Sequence, residues 1–257
     1  MCKMIWAVFF DVGGVLGPST VTATYEEIIK QNKNKHINKE QFRALLMDPR
    51  LITGPAGTLE QLLQTEFSNL RVAAAEILAI IRQEPLRLCE EHRREYCKQT
   101  NHTKPFLLYK EAWAIARELD EKHIPTGIIS DQFAESAAFL RRNYVLNAAF
   151  DPALILFSPE VGLRKETTEI FNEARRRIDK AANTPLMIDD HWFVLDVAEK
   201  VEWKTLLCND YRTLREDLRS AYGLPLISEG ELQEKHQRER EQDSIYQAIV
   251  KNRSLMT

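Results

Sequence analysis

The sequence predicts an α/β fold with a doubly wound parallel sheet, because short apolar runs alternate with amphipathic helical patterns along most of the chain. Four of the apolar runs end abruptly in polar residues, as buried parallel strands do where they meet their loops. A helix-rich stretch over about residues 20–100 interrupts the alternation. Ligands of such sheets bind at the carboxyl ends of the strands, so the polar residues there are the first candidates for a functional site.

The first predicted strand covers residues 4–10 (MIWAVFF) and ends at Asp11. Three further runs lead to Ser130 and Asp131, to Asp189 and Asp190, and to Asn209 and Asp210. Helical patterns, with apolar residues at spacings of three and four, cover residues 110–123, 135–144, 166–178, 193–201 and 212–222. Trp192 and Phe193 are expected to begin the fourth of these helices and to pack against the sheet.

The helix-rich stretch follows directly after the first strand, and a helical insertion into the sheet domain is the most economical account of it. We therefore expect a core domain formed by residues 1–18 and 104–227, and a helical cap domain formed by residues 19–103. Residues 228–257 are highly charged with few apolar side chains, which predicts a solvated C-terminal tail.

The composition is that of a globular protein, with 44% hydrophobic and 28% charged residues among 257. A net charge of -3 provides no basic surface for nucleic acid, and no apolar run approaches the ~20 residues of a membrane span. The four cysteines form no CxxC pair and the N-terminus does not resemble a secretory signal, so we expect a reducing, cytoplasmic environment. The number of chains in the assembly stays open, and a homo-oligomer is compatible with the sequence.

Asp11 is the first candidate for chemistry, in FFDVGGVLG, residues 9–17. A carboxylate at a strand end followed by glycines can act as a nucleophile, bind a metal, or form an Asx turn. Ser130 ends the second run, in GIISDQ. Its hydroxyl and the neighbouring backbone N–H groups suit a phosphate oxygen, and the alternative is that Ser130 or Asp131 caps a helix.

Lys165 precedes a helical pattern, in FSPEVGLRKETTEIF, residues 157–171. It can place a positive charge against a carboxylate nucleophile and a transferring phosphoryl group, whereas most lone lysines are solvated surface residues. Asp189 and Asp190 end the run PLMIDD. Crowded carboxylates repel each other unless a hard divalent cation binds them, and the alternative is a helix cap with a solvated neighbour.

In this order and spacing the four motifs resemble those of the haloacid dehalogenase superfamily, in the branch whose helical cap is inserted directly after the first motif. The resemblance runs from about residue 4 to residue 224 and includes the sequence that flanks the motifs, such as SPEVGLRK and the IDD ahead of VLDVAEKVEWKTLL. It implies a Rossmann-like core and a Mg²⁺-dependent hydrolase, most often a phosphatase, acting on a small phosphorylated substrate.

The resemblance also implies a role for each motif residue. Asp11 is expected to be the nucleophile that forms an aspartyl-phosphate, and Lys165 to stabilise it and the transferring charge. Ser130 and the backbone N–H of Asp131 are expected to hold the phosphoryl group. The implied Mg²⁺ ligands are Asp11, the carbonyl of Gly13, Asp189 and, directly or through water, Asp190.

Four positions depart from the family pattern. Gly13 stands where phosphatases usually have a second aspartate that protonates the leaving group, Asp131 replaces a frequent asparagine, Glu166 a usual proline, and Glu202 a common glycine. A dehalogenase-like C–X hydrolase is the second candidate, because such enzymes also lack that aspartate. A binding or regulatory protein on a weakened hydrolase scaffold is the third.

A zinc site in the predicted cap is a further alternative, which rests on ligand-type side chains within one short segment. Their spacing matches no recognised zinc motif, so a half-buried cap helix is the preferred interpretation of the residues Cys89, His92, Cys97 and His102.

Overall fold

The computed structural model describes residues 5–17, 28–30, 38–46, 48–54, 58–67, 77, 79, 110–142, 146, 149–178, 184–228, 230, 231, 234 and 237. Within these residues the chain forms a five-stranded parallel sheet with helices on both faces, so the predicted α/β fold is confirmed. No helix in these ranges is long and apolar enough to cross a membrane.

The sheet has the strand order β3-β2-β1-β4-β5, with β1 at its centre. Every neighbouring pair is parallel, and the strands are β1 (Ile5–Phe10), β2 (Thr126–Ser130), β3 (Ile155–Phe157), β4 (Thr184–Asp189) and β5 (Lys204–Leu207). The chain runs outward from β1 to β3 and then returns to the other side of β1 for β4. The strand order therefore reverses between β1 and β4, which is where open α/β sheets bind their ligands.

The helices, numbered in chain order, are α1 (Lys39–Leu46), α2 (Pro49–Thr53), α3 (Thr58–Thr65), α4 (Lys110–Glu121), α5 (Ala134–Arg142), α6 (Ser158–Val161), α7 (Thr168–Arg177), α8 (Trp192–Glu199) and α9 (Leu214–Tyr222). Of the helices predicted outside the insertion, all five are found, with ends that differ by a few residues. The fifth strand, β3, was not predicted. Its three residues are too few for a periodic pattern to stand out from the surrounding apolar run.

The central strand is buried on both faces. Val8 and Phe10 pack into an apolar layer with side chains of α4, α5 and α9, whereas Ala7 and Phe9 pack into an opposite layer with α7 and α8. Phe9 contacts the ring of Trp203 at a centroid distance of 5.1 Å. This two-sided burial explains why β1 appears in the sequence as an unbroken apolar run.

The expected packing of Trp192 and Phe193 against the sheet is wrong. Both residues lie in the first turn of α8, as predicted, but Trp192 is 68% exposed and Phe193 is 37% exposed. The buried side of α8 is instead formed by Val194, Leu195 and Ala198, which follow at helical spacing.

The described part of the insertion is helical, as predicted. Helices α1 to α3 form an apolar cluster of their own, which also takes in Phe133 from the loop after β2. The domain boundaries at residues 19–103 and 228–257 stay predictions, because much of both segments lies outside the described residues. The four residues of the zinc alternative lie outside them as well.

Glu202, which replaces a common glycine of the family, has a φ of +61°. This left-handed conformation is one that glycine adopts without steric cost and other residues adopt rarely. The turn between α8 and β5 thus keeps the geometry that glycine usually supplies.

A buried ion pair joins α4 to α9 and to the segment after it. Arg215 Nη1 lies 2.6 Å from Glu118 Oε2, and the backbone N–H of Ile227 donates to Glu118 Oε1 at 2.6 Å. Burial raises the pKa of Glu118, but the hydrogen bonds from Arg215 and Ile227 outweigh it and hold that pKa below its usual value.

Glu118→Gln is expected to lower the free energy of unfolding by about 3 kcal/mol at neutral pH, because Arg215 then stays buried without a counter-charge. A carboxylate with a depressed pKa contributes stability above its unfolded pKa of about 4.3, and that contribution is lost as the pH falls through the folded pKa. Urea unfolding of the native protein and of the variant, at about pH 7 and at about pH 3, measures the difference between their free energies of unfolding. An equal difference between the two proteins at both pH values would contradict this account.

Candidate active site

Three of the predicted site residues meet at the carboxyl edge of the sheet, beside the strand-order reversal. Asp11 follows β1 directly, Asp189 is the last residue of β4, and Lys165 lies in the loop between α6 and α7. Lys165 Nζ lies 2.9 Å from Asp11 Oδ2 and 2.7 Å from Asp189 Oδ2. One lysine thus bridges the two carboxylates that the sequence placed at separate strand ends.

All three side chains are buried, with exposed fractions of 5% for Asp11, 5% for Lys165 and 0% for Asp189. Burial lowers the pKa of Lys165, but the charges of Asp11 and Asp189 outweigh it and raise that pKa above its ordinary value. Lys165 therefore stays an ammonium ion at neutral pH. It is not the solvated surface lysine that the sequence alone left as an alternative.

The two carboxylates respond differently to this environment. Burial raises the pKa of Asp11 to about 7, against the opposing effect of the Lys165 charge. Burial also raises the pKa of Asp189, but Lys165 and His191 outweigh it and lower that pKa. The environment thus favours the ionised form of Asp189 more than that of Asp11.

One oxygen of Asp11 lacks a hydrogen-bond partner among the described residues. Asp11 Oδ1 is buried and accepts no hydrogen bond from any residue that the structure describes, whereas Oδ2 lies against Lys165. A buried carboxylate oxygen without a partner is costly, so such groups usually serve a bound ion or a reaction. This oxygen has a lone pair free for attack on an electrophile or for a cation.

His191 follows the acidic pair Asp189 and Asp190 and contacts both carboxylates. Asp189 Oδ1 accepts a hydrogen bond from the backbone N–H of His191 at 2.9 Å, and Asp190 Oδ1 lies 2.7 Å from His191 Nδ1. Ligand atoms of Asp189, Asp190 and His191 all lie within 4.8 Å of one another. Together with the unpartnered oxygen of Asp11, these carboxylates fit a hard divalent cation, for which oxygen ligands are preferred.

The loop after β1 brings its backbone close to Asp190. Gly13 forms a parallel bridge with Gly17, and the backbone N–H of Gly14 donates to the Gly17 carbonyl at 2.8 Å. Gly14 has a φ of +77°, and a Cβ built there would lie 2.2 Å from Asp190 Oδ2. Both the backbone conformation and the neighbouring carboxylate require glycine at this position.

Gly14→Ala is expected to destabilise the protein by about 1–3 kcal/mol more than Gly162→Ala does. Gly162 has a similar φ of +69° but open space around its Cβ position, so it reports the backbone cost alone. Thermal unfolding of the two variants measures the excess, which we assign to the contact with Asp190. Equal losses of stability would show that Asp190 moves away at no cost.

Ser130 is the last residue of β2 and Asp131 follows it, and neither caps the following helix. Helix α5 begins at Ala134, so the N-cap alternative for these two residues is wrong. Ser130 is buried, and its Oγ accepts a hydrogen bond from Gln132 Nε2 at 3.0 Å. The Asp131 carboxylate accepts hydrogen bonds from the Ser158 hydroxyl and from the backbone N–H of Lys165, the latter at 3.3 Å.

The sequence did not predict two residues that form hydrogen bonds with the site residues. Gln132 contacts Ser130, and Ser158 contacts Asp131 from the first turn of α6. The only local signal was the Ser-Pro pair at residues 158 and 159, which is typical of a helix start. Side-chain partners across the sheet edge depend on how the strands are ordered, which local patterns do not reveal.

Comparison with known proteins agrees with this architecture. A family model of haloacid dehalogenase-like hydrolases matches residues 5–200. No curated protein matches the sequence. The bt-2542 enzyme of the HAD family from Bacteroides thetaiotaomicron is similar in structure, with a TM-score of 0.54 at 16% identity, and the match covers 82% of this chain and 98% of that one.

Two further structures were obtained with ligands. The same Bacteroides enzyme in complex with magnesium and inorganic phosphate has a TM-score of 0.53 at 16% identity, covering 82% of this chain and 98% of that one. CbbY from Rhodobacter sphaeroides in complex with phosphate has a TM-score of 0.51 at 17% identity, covering 79% and 86%. At such low sequence identities, the structural similarity shows a shared fold alone. Membership of the family rests on the family model, which spans more than half of the 257 residues. The chain therefore belongs to the haloacid dehalogenase-like hydrolase family.

Proposed function

We propose that the protein is a Mg²⁺-dependent phosphatase that hydrolyses a small phosphorylated metabolite in the cytoplasm through a covalent aspartyl-phosphate on Asp11. The observation that carries the proposal is the buried Lys165 bridge between Asp11 and Asp189, beside an Asp11 Oδ1 that accepts no hydrogen bond from the described residues. A nucleophile, a fixed positive charge and a second carboxylate are the parts that phosphoryl transfer requires.

Asp11 attacks the phosphorus atom through its unpartnered oxygen, and the bond from phosphorus to the leaving-group oxygen breaks. Lys165 lies against the other oxygen of Asp11, so its charge also faces the phosphoryl group during transfer. Ser130 and the backbone N–H of Asp131 hold the phosphoryl oxygens. Water then attacks the phosphorus atom of the aspartyl-phosphate and restores the carboxylate.

The residues that would hold Mg²⁺ are Asp11, the carbonyl of Gly13, Asp189 and, directly or through water, Asp190. When bound there, the ion supplies positive charge that neutralises the carboxylates and the phosphoryl oxygens. Complexes of the Bacteroides enzyme with magnesium and inorganic phosphate, and of CbbY with phosphate, support the same chemistry in proteins of this fold.

We also propose that residues 19–103 form a cap over this edge of the sheet. The clustering of α1 to α3 with Phe133, three residues after Ser130, supports this position. A cap that closes over a strand-end site excludes bulk water from the reaction and favours a small substrate.

Release of inorganic phosphate from a panel of aryl, acyl, sugar and nucleotide phosphates, with and without Mg²⁺, tests the proposal. We expect release that requires Mg²⁺ and is lost on chelation. Absence of release from every substrate would overturn the phosphatase proposal. Halide release from short haloacids would then support the dehalogenase-like alternative, and absence of both activities the binding protein.

A further inference from the structure

Lys165, whose ammonium group contacts Asp11, is already engaged by two carboxylates in the described part of the site. Lys165 Nζ is held between Asp11 and Asp189 at 2.9 and 2.7 Å. His191 follows the acidic pair in the chain, and its Nδ1 lies 2.7 Å from Asp190 Oδ1. A group that protonates a leaving oxygen must reach that oxygen with a hydrogen bond of its own.

The remaining acidic residue at this edge is also engaged. The Asp131 carboxylate accepts hydrogen bonds from the Ser158 hydroxyl and the backbone N–H of Lys165, so it faces the loop that carries Lys165. An acceptor of two hydrogen bonds that point into the protein is poorly placed to donate a proton to a substrate. Its carboxylate instead links the end of β2 to the loop that carries Lys165.

Position 13 has no side chain, and its backbone does not need glycine. Among the glycines with described backbones, positive φ angles occur at Gly14, Gly162 and Gly223 and not at Gly13. A side chain with an acidic proton is thus absent where the loop backbone admits one, two residues after the nucleophile.

On these grounds, and resting on the proposed function, we propose that the substrates are phosphoryl donors whose leaving group is stable as an oxyanion. Acyl phosphates, phosphoric anhydrides and aryl phosphates of acidic phenols belong to this class, whereas sugar and alkyl phosphates do not. In the first step the Asp11 oxygen forms a bond to phosphorus, and the bond to the leaving oxygen breaks with its electron pair. The leaving group departs as an oxyanion, so this step needs no proton donor.

A leaving-group series measures this property directly. We expect kcat/KM for aryl phosphates to fall about tenfold for each unit by which the phenol becomes less acidic, because the leaving oxygen carries its full charge. The ratio kcat/KM reports the transfer to Asp11 even where the later hydrolysis limits kcat. Acetyl phosphate is expected to be a good substrate, and glucose 6-phosphate and glycerol phosphate at least about 10²-fold poorer.

Gly13→Asp is expected to increase kcat/KM for the alkyl and sugar phosphates by about 10²–10⁴ relative to that for the acidic aryl phosphates. Gly13→Asn is the matched control, since it adds a side chain of the same size that has no acidic proton, and this relative rate is expected to stay as in the native protein. The native series decides the question by itself if either variant fails to fold.

The outcomes separate this inference from the proposed function. A steep series with Mg²⁺-dependent release supports both. A flat series with Mg²⁺-dependent release overturns the inference alone and shows that a proton donor reaches the leaving group. Absence of release from every donor, including acetyl phosphate, overturns the proposed function and with it the inference.

Discussion

Asp11→Asn is expected to reduce Mg²⁺-dependent phosphate release by at least about 10⁴-fold. The amide is a poor nucleophile, so the covalent step on which the proposed mechanism depends cannot begin. Nothing in the described site replaces it, because Asp189 Oδ2 is held by Lys165 and its other oxygen by the backbone N–H of His191. Steady-state rates on acetyl phosphate, measured for both proteins, give the ratio.

The fold is expected to survive this substitution, which separates lost chemistry from lost structure. Burial raises the pKa of Asp11 to about 7, so at neutral pH the folded state stabilises the ionised carboxylate less well than water does. A neutral amide of the same shape removes that cost. We expect the thermal midpoint to change by no more than a few degrees. A variant that keeps its phosphatase rate would contradict the assignment of Asp11.

Lys165→Met is expected to lower the free energy of unfolding by about 3–5 kcal/mol in the absence of divalent cations. The substitution keeps a long side chain but leaves Asp11 and Asp189 buried beside each other without their shared counter-charge. Phosphate release is expected to fall by about 10²–10³ as well, because the charge facing the phosphoryl group is lost. Urea unfolding in the presence of a chelator gives the loss of stability.

The double variant Asp11→Asn with Lys165→Met is the control for this explanation. If repulsion between two buried carboxylates causes the loss, removing one of them restores about 1–2 kcal/mol, and the two substitutions are non-additive. Additive effects would show that Lys165 stabilises the fold by packing alone.

The sequence was sufficient for the fold and for the parts of the site that lie at strand ends. A strand buried on both faces produces an apolar run that stops at its loop, and for that reason Asp11, Ser130 and Asp189 stood out. Parallel strands bring such ends to one edge of the sheet. The family resemblance predicted that Lys165 faces Asp11, whereas its second contact, with Asp189, was not predicted.

Other contacts depended on tertiary arrangement. The link from Asp131 to Ser158 joins residues far apart in the chain that become neighbours only because β3 pairs with β2. Three residues are too few to make β3 visible as a pattern. The exposure of Trp192 was missed for a related reason, since the side of α8 that faces the core is formed by Val194, Leu195 and Ala198 and not by the first residues of the helix.

The most direct test of the account is a search for the phosphoryl group on Asp11. The native protein is mixed with Mg²⁺ and acetyl phosphate, quenched in acid during turnover, digested and analysed by peptide mass spectrometry. We predict one acid-stable, base-labile phosphoryl group on the peptide that contains Asp11, and none when Asp11 is replaced by Asn. Mg²⁺-dependent turnover without a phosphoryl group on that peptide, and with activity retained in the Asn variant, would contradict the account.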